Sequence, residues 1–163
     1  MTDKRLPLVV EVRSSVQGGV PTGRRITRWA REATGARGRG AELAVRVVGA
    51  AEGRRLNLLW RGRDYPTNVL SFPAPAGTRG GRARRSLGDI VICSPVVARE
   101  ARQQGKPLDH HWGHLVIHGA LHLLGYDHED DHDAARMERR ERLLLARFGI
   151  PDPYRISSSV SEH

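Results

Sequence analysis

The stretch HLVIHGALHLLGYDH, residues 114–128, places His118, His122 and His128 in the frame H-x-x-x-H-x-x-G-x-x-H. On a helix, His118 and His122 lie one turn apart, at a rise of about 6 Å. They project from one face, so two imidazoles can share one metal ion. Gly125 lets the backbone turn sharply three residues after His122, and the chain can then bring His128 back toward the pair. Three ligands from one short segment, with a fourth position open, form the donor set of a catalytic zinc site. The pairs His110/His114 and His114/His118 share the spacing. One ion cannot serve them all, because His110 and His122 are about 18 Å apart in helical rise. His110, His111 and His114 are read as packing, capping or hydrogen-bonding to the ligands. Contact of His114 with a substrate phosphate is the alternative.

In the metzincin proteases the same Gly-x-x-His step delivers the third ligand. Their catalytic glutamate follows the first histidine, and here that position holds Gly119. Three neutral imidazoles leave a divalent ion its full charge, and such an ion lowers the pKa of bound water to about 7. A nucleophile is then within reach near neutral pH without a neighbouring carboxylate. Peptide hydrolysis also needs its leaving amine protonated, the glutamate's second task. Phosphodiester cleavage depends mainly on neutralising developing negative charge. The pattern therefore points to a metal that works on phosphate.

Charge agrees with that substrate class. The formal net charge is +9, nearly all the cations are arginine, and the signs are segregated. Residues 1–106 carry +13 and residues 107–163 carry −4. A basic surface beside an acidic, histidine-rich segment, with guanidinium groups that fork onto phosphate oxygens, makes nucleic acid the leading partner. GC-biased codon usage would produce the same composition without any such function. The single cysteine, Cys93, excludes an internal disulfide and a cysteine-based zinc finger, and reads as a small apolar core residue. No apolar run approaches the roughly 20 residues of a membrane span. MTDKRLPLVV has too short an apolar run for a secretory leader, and the expected location is the cytoplasm.

The elements that must position the histidines follow from periodicity. Residues 6–16, 41–50, 67–74 and 86–94 read as strands. Ile26, Trp29, Ala30 and Ala33 recur at helical spacing, and 51–63 forms a short helix with Leu56, Leu59 and Trp60 on one face. Ser94-Pro95 opens a helix to about Gly105, with serine expected as the cap. A long helix follows to Gly125, and a charged one closes the fold. The segment 75–86, rich in Gly and Arg, reads as a mobile basic loop suited to phosphates. The order βαβαββααα predicts an α/β (α+β) single domain over residues 1–154. It has a four-stranded mixed sheet covered by helices, a zincin-like metal-binding helix, and a polar tail at 155–163.

HWGHLVIHGALHLLGYDHEDD closely resembles the signature of the YbeY family of bacterial endoribonucleases, H-G-x-L-H-L-x-G-Y-D-H, matched at every fixed position in residues 118–128. The resemblance extends through LNLLWRGRDYPTNVLSFP, LGDIVIC and FGIPDPY, and so covers most of residues 40–154. It implies a single-strand-specific, metal-dependent endoribonuclease acting in 16S rRNA 3′-end processing and ribosome quality control. It also implies Zn2+ held by His118, His122 and His128, a functional arginine at Arg61, and links to rRNA precursor, the small ribosomal subunit and the GTPase Era. Two departures are the Arg- and Gly-rich connection at 75–86 and Trp60, where tyrosine is common.

Arg61 would hold a phosphate oxygen and stabilise the extra negative charge of the transition state. Asp127 could orient an imidazole, act as an acid or cap a turn; Asp89 reads as a strand-end carboxylate. Trp29, Trp60 and Trp112 are expected in the core rather than as base-stacking platforms, because aromatics at 5% do not suit a stacking-dominated RNA binder. Two competing functions stay open. One is a non-catalytic RNA-binding ribosome assembly factor with structural zinc, and the other a metalloprotease.

Overall fold

The computed structural model describes residues 6–81, 83–127 and 129–155. His128 and residues 156–163, most of the expected tail, lie outside them. Strand β1 (Val9–Ser14) leads into helix α1 (Gly23–Thr34), then β2 (Ala41–Val48) and α2 (Ala50–Arg61). Strands β3 (Val69–Pro73) and β4 (Arg85–Cys93) follow, then α3 (Ser94–Gln104), α4 (Leu108–Leu123) and α5 (Asp131–Ala146). Apart from a 3-10 turn at Gly35–Gly38, this is the order read from the sequence. The sheet runs β1-β2-β4-β3, with β1, β2 and β4 parallel and β3 antiparallel at the edge. A mixed sheet results because β3 and β4 join as a hairpin, whereas parallel neighbours need helical crossovers.

Alternation sorts the strand residues. Val45 and Val47 of β2 and Ile90 and Ile92 of β4 point into the main core, against Ile26 and Trp29 of α1 and Val116, Ile117 and Ala120 of α4. Met137, Leu144 and Leu145 of α5 close that core from beyond α4. The opposite face carries a smaller cluster of Val48, Leu70, Val91, Cys93 and Val96, with Leu56 and Phe72 packed against it. The histidine helix is therefore sandwiched between the sheet and α5, which fixes its rotation.

Gly119 records how close that packing is. A Cβ there would meet Ile90 Cγ2 at 2.9 Å, and the Ser71 hydroxyl donates to the Gly119 carbonyl at 3.3 Å. Alanine at 119 must displace the Ile90 side chain or the helix itself, an overpacking change expected to cost about 1–3 kcal/mol. Chemical denaturation of Gly119→Ala checks this; unchanged stability would show the contact to be loose.

Three local expectations are corrected. The buried residues of α2 are Gly53 and Asn57, whereas Leu59 and Trp60 are 68% and 63% exposed. Gly53 lies so close to Cys93 that a Cβ would sit 3.0 Å from its Sγ, and Asn57 Nδ2 donates to the Tyr65 carbonyl at 2.7 Å. This helix approaches through its small and hydrogen-bonding side with Leu56 beside it, so Leu58 and Leu59 stay outside. The cap of α3 is Cys93, with no side-chain cap bond, and Ser94 is already the first helical residue. In the basic connection, the Arg84 guanidinium donates to the Pro7 carbonyl and the Arg85 guanidinium to the Arg37 carbonyl, each at 2.7 Å. Those arginines staple the hairpin to the domain.

Candidate metal and phosphate site

Helix α4 presents its histidines on successive turns. At its end, Gly125 (φ +100°) lets the chain reverse: Tyr126 N–H donates to the Leu121 carbonyl and Gly125 N–H to that of His122. This Schellman-type closure satisfies the last carbonyls and turns the chain back along the helix, as the glycine's position requires. His118 and His122 lie with ring centroids 4.6 Å apart, and their Nε2 atoms are 3.1 Å apart. Nitrogens on a tetrahedral zinc with bonds of about 2.0–2.1 Å sit roughly 3.3 Å apart. The pair is spaced as two ligands of one small cation would be.

What orients His118 is Glu141, a carboxylate with no exposed surface on α5. His118 Nδ1–H donates to its Oε1 at 2.9 Å and His114 Nε2–H to its Oε2 at 2.7 Å, while the Tyr154 hydroxyl donates to Oε2 at 2.9 Å. Burial pushes the Glu141 carboxyl up, but the hydrogen bonds from His114 and His118 together outweigh it and hold its pKa at about 2. It is therefore ionised and can only accept. That places the proton of His118 on Nδ1 and turns Nε2 toward His122. Burial, followed by the Glu141 charge, raises the Tyr154 hydroxyl well above its ordinary range, so it stays a donor. Among the described residues, His114 Nδ1 is buried without a hydrogen-bond partner, so Nε2 makes the ring's polar contact with Glu141.

His114, His118 and Glu141 each offer a ligand atom within 4.8 Å of the others, a set that could hold a metal ion. His111 stands apart: its Nε2 lies 2.8 Å from Glu100 Oε1, and burial lowers its pKa despite that contact. His110 lies beyond the ligand face, beside the exposed Arg25–Asp109 pair.

The cleft that His118 and His122 open into has a volume of about 590 Å³. Its walls are the end of α2 with Trp60 and Arg61, edge strand β3 with Ser71 and Phe72, and the reversed chain with Tyr126 and Asp127. Arg61 is brought there as the last residue of α2, where a cation also suits the negative end of the helix dipole. The bidentate Arg54–Asp64 pair, at 2.7 and 2.9 Å, tethers the turn that follows. Asp127 lines the cleft, whereas Asp89 stands exposed on the opposite face of the sheet, mid-strand in β4. Trp29 and Trp112 are buried as expected; Trp60 is not.

The family model described as endoribonuclease YbeY matches residues 22–149. The chain belongs to this family. An endoribonuclease YbeY of Halorhodospira halophila is 56% identical over 136 residues, covering 82% of this chain and 88% of the relative. That of Alkalilimnicola ehrlichii is 55% identical over 153 residues, covering 93% and 92%. The solution structure of TM1509 from Thermotoga maritima superposes with a TM-score of 0.55 at 23% identity, over 91% of this chain and all of that one, and shares the fold. The YbeY match runs from the cap of α1 past the end of α5, so it takes in Arg61, the α4 histidines and Glu141 but stops short of Tyr154.

Glu141 and Tyr154 are the functional residues that the sequence reading missed. A signal for the first was there. Met137, Glu141, Leu144 and Leu145 share one helical face, and an acid on an apolar stripe needs buried partners.

Proposed function

We propose that this chain is a zinc-dependent endoribonuclease that cuts single-stranded RNA, with the ion held by His118, His122 and His128. The observation that carries this reading is the 3.1 Å approach of His118 Nε2 and His122 Nε2 within a cleft that also receives Arg61. Zinc, when bound there, supplies positive charge that acidifies water and neutralises a phosphate oxygen. Arg61 grips a second phosphate oxygen and stabilises charge as it develops. Glu141 keeps the proton of His118 on Nδ1, so that Nε2 remains the ligand atom. Edge strand β3 and the end of α2 form the two sides of the trough along which a single strand passes. Within the family reading, the substrate is rRNA precursor at the 16S 3′ end, the wider role is ribosome quality control, the partners are the small ribosomal subunit and the GTPase Era, and the location is the cytoplasm. Residues up to 154 form the single catalytic domain.

Metalloprotease chemistry is disfavoured by Gly119, which stands where the protease glutamate would be and where a Cβ would meet Ile90 Cγ2 at 2.9 Å. A structural ion on His114, His118 and Glu141, in a non-catalytic assembly factor, is the second reading, favoured by their proximity and burial.

Chelation should abolish cleavage of a single-stranded RNA, and added zinc should restore it. Arg61→Ala should lower kcat/KM by about 10²–10³-fold with zinc content unchanged. Full cleavage by metal-stripped protein would overturn the assignment, and wild-type kinetics in Arg61→Ala would remove the arginine from it.

A further inference from the structure

We propose that Trp60 is the stacking platform for the nucleobase beside the phosphate held by Arg61, and that it is a source of single-strand selectivity. This rests on the endoribonuclease reading above. Trp29 and Trp112 are 3% and 0% exposed, whereas Trp60, a far larger apolar surface than its neighbours, is 63% exposed. Its exposure is not slack packing. The ring is propped edge-on against Phe72 of β3, centroids 5.8 Å apart and planes at 66°, and it forms part of the cleft wall containing His118 and His122.

An aromatic face next to an arginine, lining one groove, is how sequence-tolerant binders hold single strands: the guanidinium takes the backbone and the ring takes a base. The roughly 590 Å³ cleft lies within the range of about 300–1,000 Å³ typical of small-ligand pockets. Bases within a duplex are already stacked on one another and cannot reach such a ring, whereas those of a loop or a free end can be splayed onto it. The preference for single strands then has a physical cause at one residue, separate from the metal.

The same separation makes the idea testable on the zinc-loaded protein. Because the other two tryptophans are buried, a short single-stranded deoxyadenylate should quench the exposed part of the fluorescence, and an abasic strand of equal length should not. Trp60→Phe should lose the quenching while keeping KM on single-stranded RNA within about threefold. Trp60→Ala should raise KM by about tenfold or more, with zinc content and thermal unfolding unchanged. Its defect should disappear on RNA made abasic next to the cut. An unchanged KM in Trp60→Ala, or equal quenching by the abasic strand, would overturn the proposal. If the wild-type protein cuts no RNA, the endoribonuclease reading falls, and the quenching comparison still decides whether Trp60 stacks on bases.

Discussion

His122→Ala is expected to bind no zinc at stoichiometric concentration and to cut single-stranded RNA at least about a thousandfold more slowly, while remaining folded. His122 is the cleaner of the two proposed helix ligands to remove. His118 also donates to Glu141, so its loss would leave a buried carboxylate short of a donor. His122 is half-buried at the cleft, with its Nε2 3.1 Å from that of His118. The core of α4, from Trp112 to Leu121, does not lean on it. Metal content by mass spectrometry, a thermal melt and a cleavage assay on one preparation check all three statements. A variant that keeps one equivalent of zinc and normal activity would shift the site to His114, His118 and Glu141.

Glu141→Gln carries the second large effect and separates the two ligand sets from the other side. The carboxylate accepts three hydrogen bonds with no exposed surface, from His118, His114 and Tyr154. An amide of the same shape presents two N–H groups of its own, so at least one donor now faces a donor. A buried donor left without an acceptor costs about 1–3 kcal/mol, readable as a lower denaturation midpoint. His118 also loses the acceptor that fixes its tautomer, and removal of such outer partners lowers metal affinity about 10–100-fold. Zinc retained but weakened is the expected result. Zinc lost outright, with His122→Ala still loaded, would make Glu141 itself a ligand.

Much of this architecture could be read in advance, and the exceptions have a common cause. Strand order of types, helix positions and the reversal at Gly125 follow from period and punctuation, which are local properties. In helix α2 the stripe Leu56, Leu59 and Trp60 suggests one buried face, but only Leu56 packs, beside the close contact made by Gly53 and Asn57. Periodicity rewards apolar residues and does not register a close approach mediated by a glycine and a backbone-bonding amide. The histidines of α4 were legible by spacing, yet their division of labour was not. It depends on Glu141 arriving from α5, 23 residues beyond His118 in sequence. Likewise, the loop arginines at 84 and 85 reveal their carbonyl partners only when the chain is folded.

The contact between Gly119 and Ile90 bears on any exchange of chemistry on this frame. The protease frame carries a glutamate at this position, and here its Cβ would crowd Ile90 at 2.9 Å. A protease-like acid in this scaffold therefore asks for a smaller partner on β4 as well as the exchange itself.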